Sequence, residues 1–276
     1  MNKNIVMSAL VSVLAVSMAA KASAGITVRV FASDAVEKPL REIGYMFEKQ
    51  HPDVKLHYEF AASGLFMASI TQGVPPDVYI SSSNRYQNEL INRAEIDFPV
   101  RIAYSYLAAA EPCYNPVNVS RFGNITTGDL VAYLRNTNVR VFAASPVLSP
   151  AGQYTQDMFK LIDKNRPGSY SLIMGHTKEK MSPNFIIPSV VNAKADIAIL
   201  YASQISGMRR EGVCVNETPI PTRYKRRVTF SASILNPSTL RVVSETRKEV
   251  DAAYEKFLSS SAGQRVFKKW GFLSPK

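Results

Sequence analysis

The sequence predicts an α/β protein of two lobes, each a mostly parallel sheet flanked by helices, and three observations lead there. Strand, helix, strand, helix and strand alternate between Ile26 and Ser81, the order that builds a parallel sheet covered on both faces. The second half repeats that alternation without repeating the sequence. Two helical stretches then close the chain, so the expected ligand site is the cleft between the lobes.

Ile26 to Ala32 (ITVRVFA) alternates and is rich in β-branched residues, which reads as a strand. Ala35 to Gln50 follows as a helix, with Ile43, Met46 and Phe47 at helical spacing. Val54 to Phe60 is a second strand, Leu65 to Gln72 a helix, and Asp77 to Ser81 (DVYIS) a third strand. Further on, Tyr104 to Ala110 and Val139 to Ala143 read as strands, Gln153 to Asp163 as a helix, and Tyr170 to Met174 (YSLIM) as a weak strand. Ile186 to Ala193 reads as a helix, Ile197 to Tyr201 (IAILY) as a strand, Val213 to Val215 as a short strand and Val228 to Leu235 (VTFSASIL) as another. Helices over Arg247 to Ser259 and Ser261 to Lys269 complete the set.

Residues 1–24 carry Lys3, an uncharged stretch from Ile5 to Ala20, and Ala22-Ser23-Ala24 before Gly25, the three parts of a secretory signal peptide. That apolar stretch has 16 residues, short of the roughly 20 that a spanning helix needs. The expected mature protein is exported and soluble. No cysteine follows the stretch to take a lipid anchor. Without Lys3 and Lys21 the chain has 31 basic against 22 acidic residues, a formal charge of +9, which favours anionic partners. Basic residues gather at Arg209-Arg210 and over Arg223 to Arg227 (RYKRR), but the signatures of nucleic-acid-binding modules are absent. Cys113 and Cys214 are the only cysteines, and in an exported chain a disulfide is favoured over a free nucleophile or a metal ligand. No histidine neighbours Cys113, and His51, His57 and His176 form no metal-ligand spacing with the cysteines. Neither an activated-serine turn nor a phosphate loop is present, so the reading is a binding protein without a cofactor rather than an enzyme.

Four expected helices begin with a capping residue after a strand. Asp34 with Glu37 reads as a capping box, Ser63 precedes Gly64, and Ser149-Pro150 and Ser182-Pro183 each pair a capping serine with proline at the first helical position. In an open parallel sheet such starts lie at the carboxyl ends of the strands, where ligands bind. Their unpaired N–H groups make that edge an anion site. The small residues of Ala61-Ala62-Ser63-Gly64 would let an anion approach bare amides there.

Six segments in order, ITVRVFAS, FEKQHPDVKLHYEFAASG, ITQGVPPDVYISSSNRY, SPAGQYTQDMF, ADIAILYAS and SSSAGQRVFKKWGF, resemble the periplasmic molybdate-binding proteins, solute receptors of ABC importers. The resemblance implies the two-lobed type II periplasmic-binding fold, with lobe I at 25–103 and 223–276 and lobe II at 104–222. It implies a monomer that closes on one tetrahedral oxyanion, such as molybdate or tungstate, for the membrane subunits of an importer. Ser63 matches a family serine, Ala151 the amide of the Pro-Ala-Gly turn, and Tyr201 the family tyrosine. It also implies that Cys113 and Cys214 sit at the same end of neighbouring strands, in the second lobe near the hinge.

Two positions depart from the family pattern. Ala35 stands where the family has its first serine, with Asp34 beside it, and Pro183 stands where a donor amide is expected; proline has none. Ser33 and Ser182 are the candidates to substitute through their hydroxyls. The alternatives are a cleft retuned by Asp34 for a cationic or zwitterionic solute, and a basic surface of Arg209, Arg210, Arg223, Lys225, Arg226 and Arg227 that takes an anionic partner.

Overall fold

The computed structural model describes residues 25–113, 127–237 and 243–275. The expected signal peptide lies outside the described residues. The chain begins with β1 (Ile26–Ser33), whose inward residues Val28 and Val30 are fully buried. A turn of 3-10 helix (Asp34–Val36) leads into α1 (Glu37–Gln50). β2 (Val54–Ala61), α2 (Ser63–Thr71), β3 (Val78–Ser81) and α3 (Asn84–Asn92) follow, and β1 pairs with both β2 and β3 in parallel. This half matches the expected alternation, with α3 added.

β4 (Val100–Pro112) is the long strand that joins the two halves of the sheet. Its first part, Val100 to Tyr106, pairs antiparallel with β9 (Arg227–Ile234), which also pairs with β3. Its second part, from Leu107 on, pairs with β7 (Ile197–Tyr201) and β8 (Val215–Pro219). β5 (Val141–Ala144) pairs in parallel with β7 and with the short β6 (Lys178–Lys180). The resulting sheet runs β2-β1-β3-β9-β4-β7-β5-β6, with β8 beside β4. Each half is therefore a small parallel sheet, and the two meet through antiparallel strands that exchange partners at Tyr106 and Leu107.

The remaining helices are α4 (Thr127–Arg135), α5 (Pro150–Asn165), α6 (Ser169–His176), α7 (Ile187–Val191), α8 (Ala202–Arg210), α9 (Glu245–Ser259) and α10 (Ser261–Lys269). Several of the sequence expectations need correction. The short strand expected over 213–215 instead runs as β8 from Val215 to Pro219. Residues 170–174 are not a strand but lie in α6. Gly168, at φ 82°, turns the chain back after α5, and the Asp163 carboxylate accepts the Tyr170 N–H at 2.9 Å. The apolar run is then buried through Ser169 and Ile173, four residues apart on one helical face. The helix expected over 186–193 is shorter, α7 at Ile187–Val191, with a separate 3-10 turn (Pro183–Phe185) before it, and Pro188 falls in the first turn of α7, where its missing N–H breaks no helical hydrogen bond. The capping box expected at Asp34 and Glu37 does not form, since Glu37 instead accepts from Arg41 at 2.9 and 2.8 Å.

Cys113 and Cys214 form a disulfide with Cα atoms 5.4 Å apart, well under the roughly 7 Å beyond which bridging needs backbone movement. It extends the β4–β8 pairing, where Pro112 lies opposite Val215. No helix among the described residues is long and apolar enough to cross a membrane.

Candidate functional site

The carboxyl ends of β1 and β3 and the amino ends of α2, α5 and α8 converge on one buried cluster of hydroxyls. Ser82, which follows β3, is its centre. Its Oγ lies 3.4 Å from each of three hydroxyl oxygens, those of Ser33, Ser63 and Tyr201. Its backbone N–H points to Ser63 Oγ at 3.3 Å, and its carbonyl accepts from the Tyr154 hydroxyl at 3.2 Å. Ser33, Ser63, Ser82 and Tyr201 are all at most 3% exposed. Burial pushes the Tyr201 hydroxyl well above the usual phenol range, and the nearby Asp34 charge raises it further. That phenol therefore remains a proton donor at physiological pH.

Hydroxyl pairs prefer separations near 2.7 to 2.8 Å. At 3.4 Å the contacts around Ser82 leave donor capacity that an acceptor oxygen would use better. Ser33, Ser63 and Tyr201 are thus brought together around Ser82, while Ser182 is bound elsewhere. Ala151 is fully buried in the first turn of α5, where backbone N–H groups have no intrahelical partner. That end of α5 is held against the β3–α3 turn by Tyr154 on Ser82 and by Gln153, which donates to the Tyr86 hydroxyl at 2.7 Å. Ser182 is drawn away, because its hydroxyl donates to the Asp34 carboxylate.

Asp34 forms a second node of the site. The backbone N–H groups of Asn184 and Ala35 also favour its charged form, and its backbone carbonyl accepts from the Asn184 side chain at 3.0 Å. Gln204 Nε2 donates to Asn184 Oδ1 at 3.0 Å, and its Oε1 accepts the Tyr201 N–H at 3.3 Å. The side chain is 6% exposed, and burial pushes its pKa up to about 6 against the pull of Ser182, Asn184 and Ala35. A carboxylate of the chain itself therefore takes donors that an anion would otherwise use.

Helix starts near this edge are mostly uncapped, although the Gln204 side chain accepts the Tyr201 N–H at the start of α8. The starts at Ser33, Ala62, Ser149 and Ser182 have no side-chain cap hydrogen bond. By contrast, Ser244 and Ser260 cap α9 and α10 by accepting the N–H groups of Arg247 and Gly263 at 3.3 and 3.2 Å. The expected cap at Ser63 is also one residue off, since Ala62 is the cap position and Ser63 the first helical residue.

Gly64 meets protein as well as open cleft: an added Cβ would lie 2.7 Å from the Leu148 carbonyl oxygen and 2.9 Å from the Tyr86 hydroxyl. The lack of side chain at 61–64 thus serves the approach of the β5–α5 segment. Beside Asp34 lies a cavity of about 340 Å³, whose apolar wall includes Ala35, Ile187, Met208, Trp270 and Phe272. Ser203 also lines it, and its buried hydroxyl has no hydrogen-bond partner among the described residues.

Sequence reasoning about donors missed Ser82, Tyr154, Asn184 and Gln204. The signal for Ser82 was the Ser81-Ser82-Ser83 run at the carboxyl end of a strand, which a helix over Asn84–Asn92 would have marked as a further helix start.

A profile of bacterial extracellular solute-binding proteins matches residues 28–273. The molybdate-binding protein ModA of Mycobacterium tuberculosis (strain H37Rv) is 21% identical over 248 residues, which is 89% of this chain and 84% of that protein. Among solved structures, the periplasmic molybdate-binding protein of Azotobacter vinelandii matches with TM-score 0.72 at 14% identity, over 90% of this chain and 100% of that one. The sulfate-binding protein SubI of Mycobacterium tuberculosis matches with TM-score 0.74 at 15% identity, over 90% and 87%. At these identities the structural likeness shows the two-lobed periplasmic-binding fold.

Proposed function

Because the chain belongs to the bacterial extracellular solute-binding proteins, we propose that it is a solute-binding protein of the ABC-transporter type, which binds a small oxyanion between its lobes and delivers it to an importer's membrane subunits. The protein acts as an exported, periplasmic monomer. Lobe I comprises 25–103 and 223–276 and lobe II 104–222, and the exchange of β4 partners at Tyr106 and Leu107 supports a hinge close to that boundary. The observation that carries this reading is the loose ring of Ser33, Ser63 and Tyr201 hydroxyls around Ser82. Neutral donors suit an oxyanion because they solvate its charge without a counter-ion, and Ala151 supplies a backbone amide at the uncapped start of α5.

Titration calorimetry of the mature protein with molybdate, tungstate and sulfate tests it. Each lost hydrogen bond to a charged group costs about 1.5 to 3 kcal/mol, so Ser63→Ala and Ser82→Ala should each weaken binding by about tenfold or more. A folded sample that gives no heat with any of these anions sinks the oxyanion reading.

The second reading, a cationic or zwitterionic solute, is favoured by one arrangement: the Asp34 carboxylate, the unpartnered Ser203 hydroxyl and the apolar cavity lie side by side. Asp34→Lys separates the two, because it strengthens binding of a dianion and abolishes that of a cation.

A further inference from the structure

An electropositive feature lies apart from the hydroxyl cluster around Ser82, on β4 and β9. Arg101, Tyr104, Tyr106, Arg227, Leu273 and Ser274 line a groove of about 510 Å³. Tyr106 on β4 lies opposite Arg227 on β9. The Arg227 guanidinium stacks on the Tyr104 ring, 4.6 Å from its centroid, and Lys225 Nζ sits 4.1 Å from the centroid of Tyr106. Arg101 Nη1 donates to the Tyr104 hydroxyl at 3.3 Å.

The floor of this groove is fixed. Tyr104 is 5% exposed, and its backbone N–H and carbonyl both bond to Leu273, at 2.8 and 2.9 Å. Rings held in this way orient the cations above them and reduce the freedom those side chains would lose on binding.

The charge balance is what calls for a ligand. Among the described residues no carboxylate lies within ion-pair distance of Arg101, Lys225 or Arg227, whereas Arg29, Arg140 and Arg209 each have an acidic partner. Exposed Arg223 and Arg226 add to the same sign nearby. Of the basic residues grouped in the sequence, Arg209 and Arg210 separate from this patch, one paired with Glu217 and the other over Trp270. Three like charges gathered without a counter-charge repel one another, and an anion between them would offset that cost. Two guanidinium forks and a tyrosine hydroxyl match the oxygens of a phosphate group better than a single carboxylate.

We propose that this groove is a second anion site, distinct from the cleft, that binds a phosphate group through Arg101, Arg227, Lys225 and the Tyr104 hydroxyl. The phosphate is carried either by a lipid headgroup or by a small soluble phosphate. The mature protein is tested with two probes: inorganic pyrophosphate, read by the thermal midpoint, and vesicles of phosphatidylglycerol or phosphatidylcholine, read by co-sedimentation. Retention on phosphatidylglycerol alone assigns the headgroup, and a midpoint raised by pyrophosphate assigns the soluble ion. In either case the Arg101→Gln/Arg227→Gln protein should bind at least about tenfold more weakly, while its oxyanion titration in the cleft stays unchanged. Arg101→Lys/Arg227→Lys, which keeps the charge but removes the forks, should fall between the two. The proposal is overturned if neither probe binds, or if the glutamine variant, folded and active in the cleft, binds either probe as the unaltered protein does.

Discussion

Asp34 is where the chain's own chemistry departs furthest from a simple anion receptor. Taking its carboxylate out of water disfavours the charge, and the Ser182 hydroxyl with the amides of Asn184 and Ala35 offsets only part of that cost, so the pKa rises from 3.8 to about 6. The folded state then holds the proton more tightly than the unfolded one. Stability from this group is fully present below about pH 3.8 and is lost as the pH rises through about 6. The difference is on the order of 3 kcal/mol. Unfolding by urea at pH 4 and pH 7.5 should therefore show the advantage of Asp34→Asn over the unaltered protein growing by roughly that amount. Glu255, pushed up to about 7 chiefly by burial, titrates in both proteins and cancels in the comparison. An advantage that does not change with pH would mean that Asp34 is not desolvated as described. The sequence shows an aspartate at a helix start. That Ser182, 148 positions away, would donate to it depends on tertiary packing, and local reading cannot supply that.

At the scale of elements, the uncapped helix starts and the glycines beside them belong to one design. α5 can begin where it does only because Gly152 lets its first turn sit against the end of β5. A Cβ there would come within 2.3 Å of the Ser145 carbonyl and 2.4 Å of the Ala144 oxygen, all backbone atoms. Backbone yields little, so Gly152→Ala should cost about 1 to 3 kcal/mol of stability, measured by chemical denaturation. An unchanged midpoint would show that the α5 start can shift freely. Most strands were legible because a buried strand needs β-branched and aromatic residues in short runs, as ITVRVFA and IAILY display. The apolar run at 170–174 misled because five residues carry too little periodicity to separate a strand from a helical face. Its helical state is imposed by Gly168 and by the Asp163 carboxylate on α5. α3 and α8 went unread for a related reason: their polar faces look outward and their buried faces are short, with Tyr86, Gln87 and Leu90 in one and Ser203, Gln204, Ile205 and Met208 in the other.

Across the whole molecule, the disulfide closes a loop of 101 residues between Cys113 and Cys214, almost the whole of the second half of the sheet. Constraining an unfolded loop of that length is worth about 4 to 5 kcal/mol in the chain-entropy model. The Cys113→Ala/Cys214→Ala protein should lose stability of that order in guanidinium titrations with the fold retained, and a loss under about 1 kcal/mol would mean that the unfolded chain is already compact there. The sequence by itself determined the α/β alternation, the identity of the family and the pairing of the two cysteines, because each is written in residue type and order along the chain. Only the tertiary structure decided what the cleft offers a ligand. The convergence of Ser33, Ser63 and Tyr201 on Ser82, the diversion of Ser182 to Asp34, and the unpaired cations over Tyr104 and Tyr106 all join residues far apart in sequence. Hydrogen bonds and charges act over a few ångströms of space, and folding alone determines which distant side chains come within that reach.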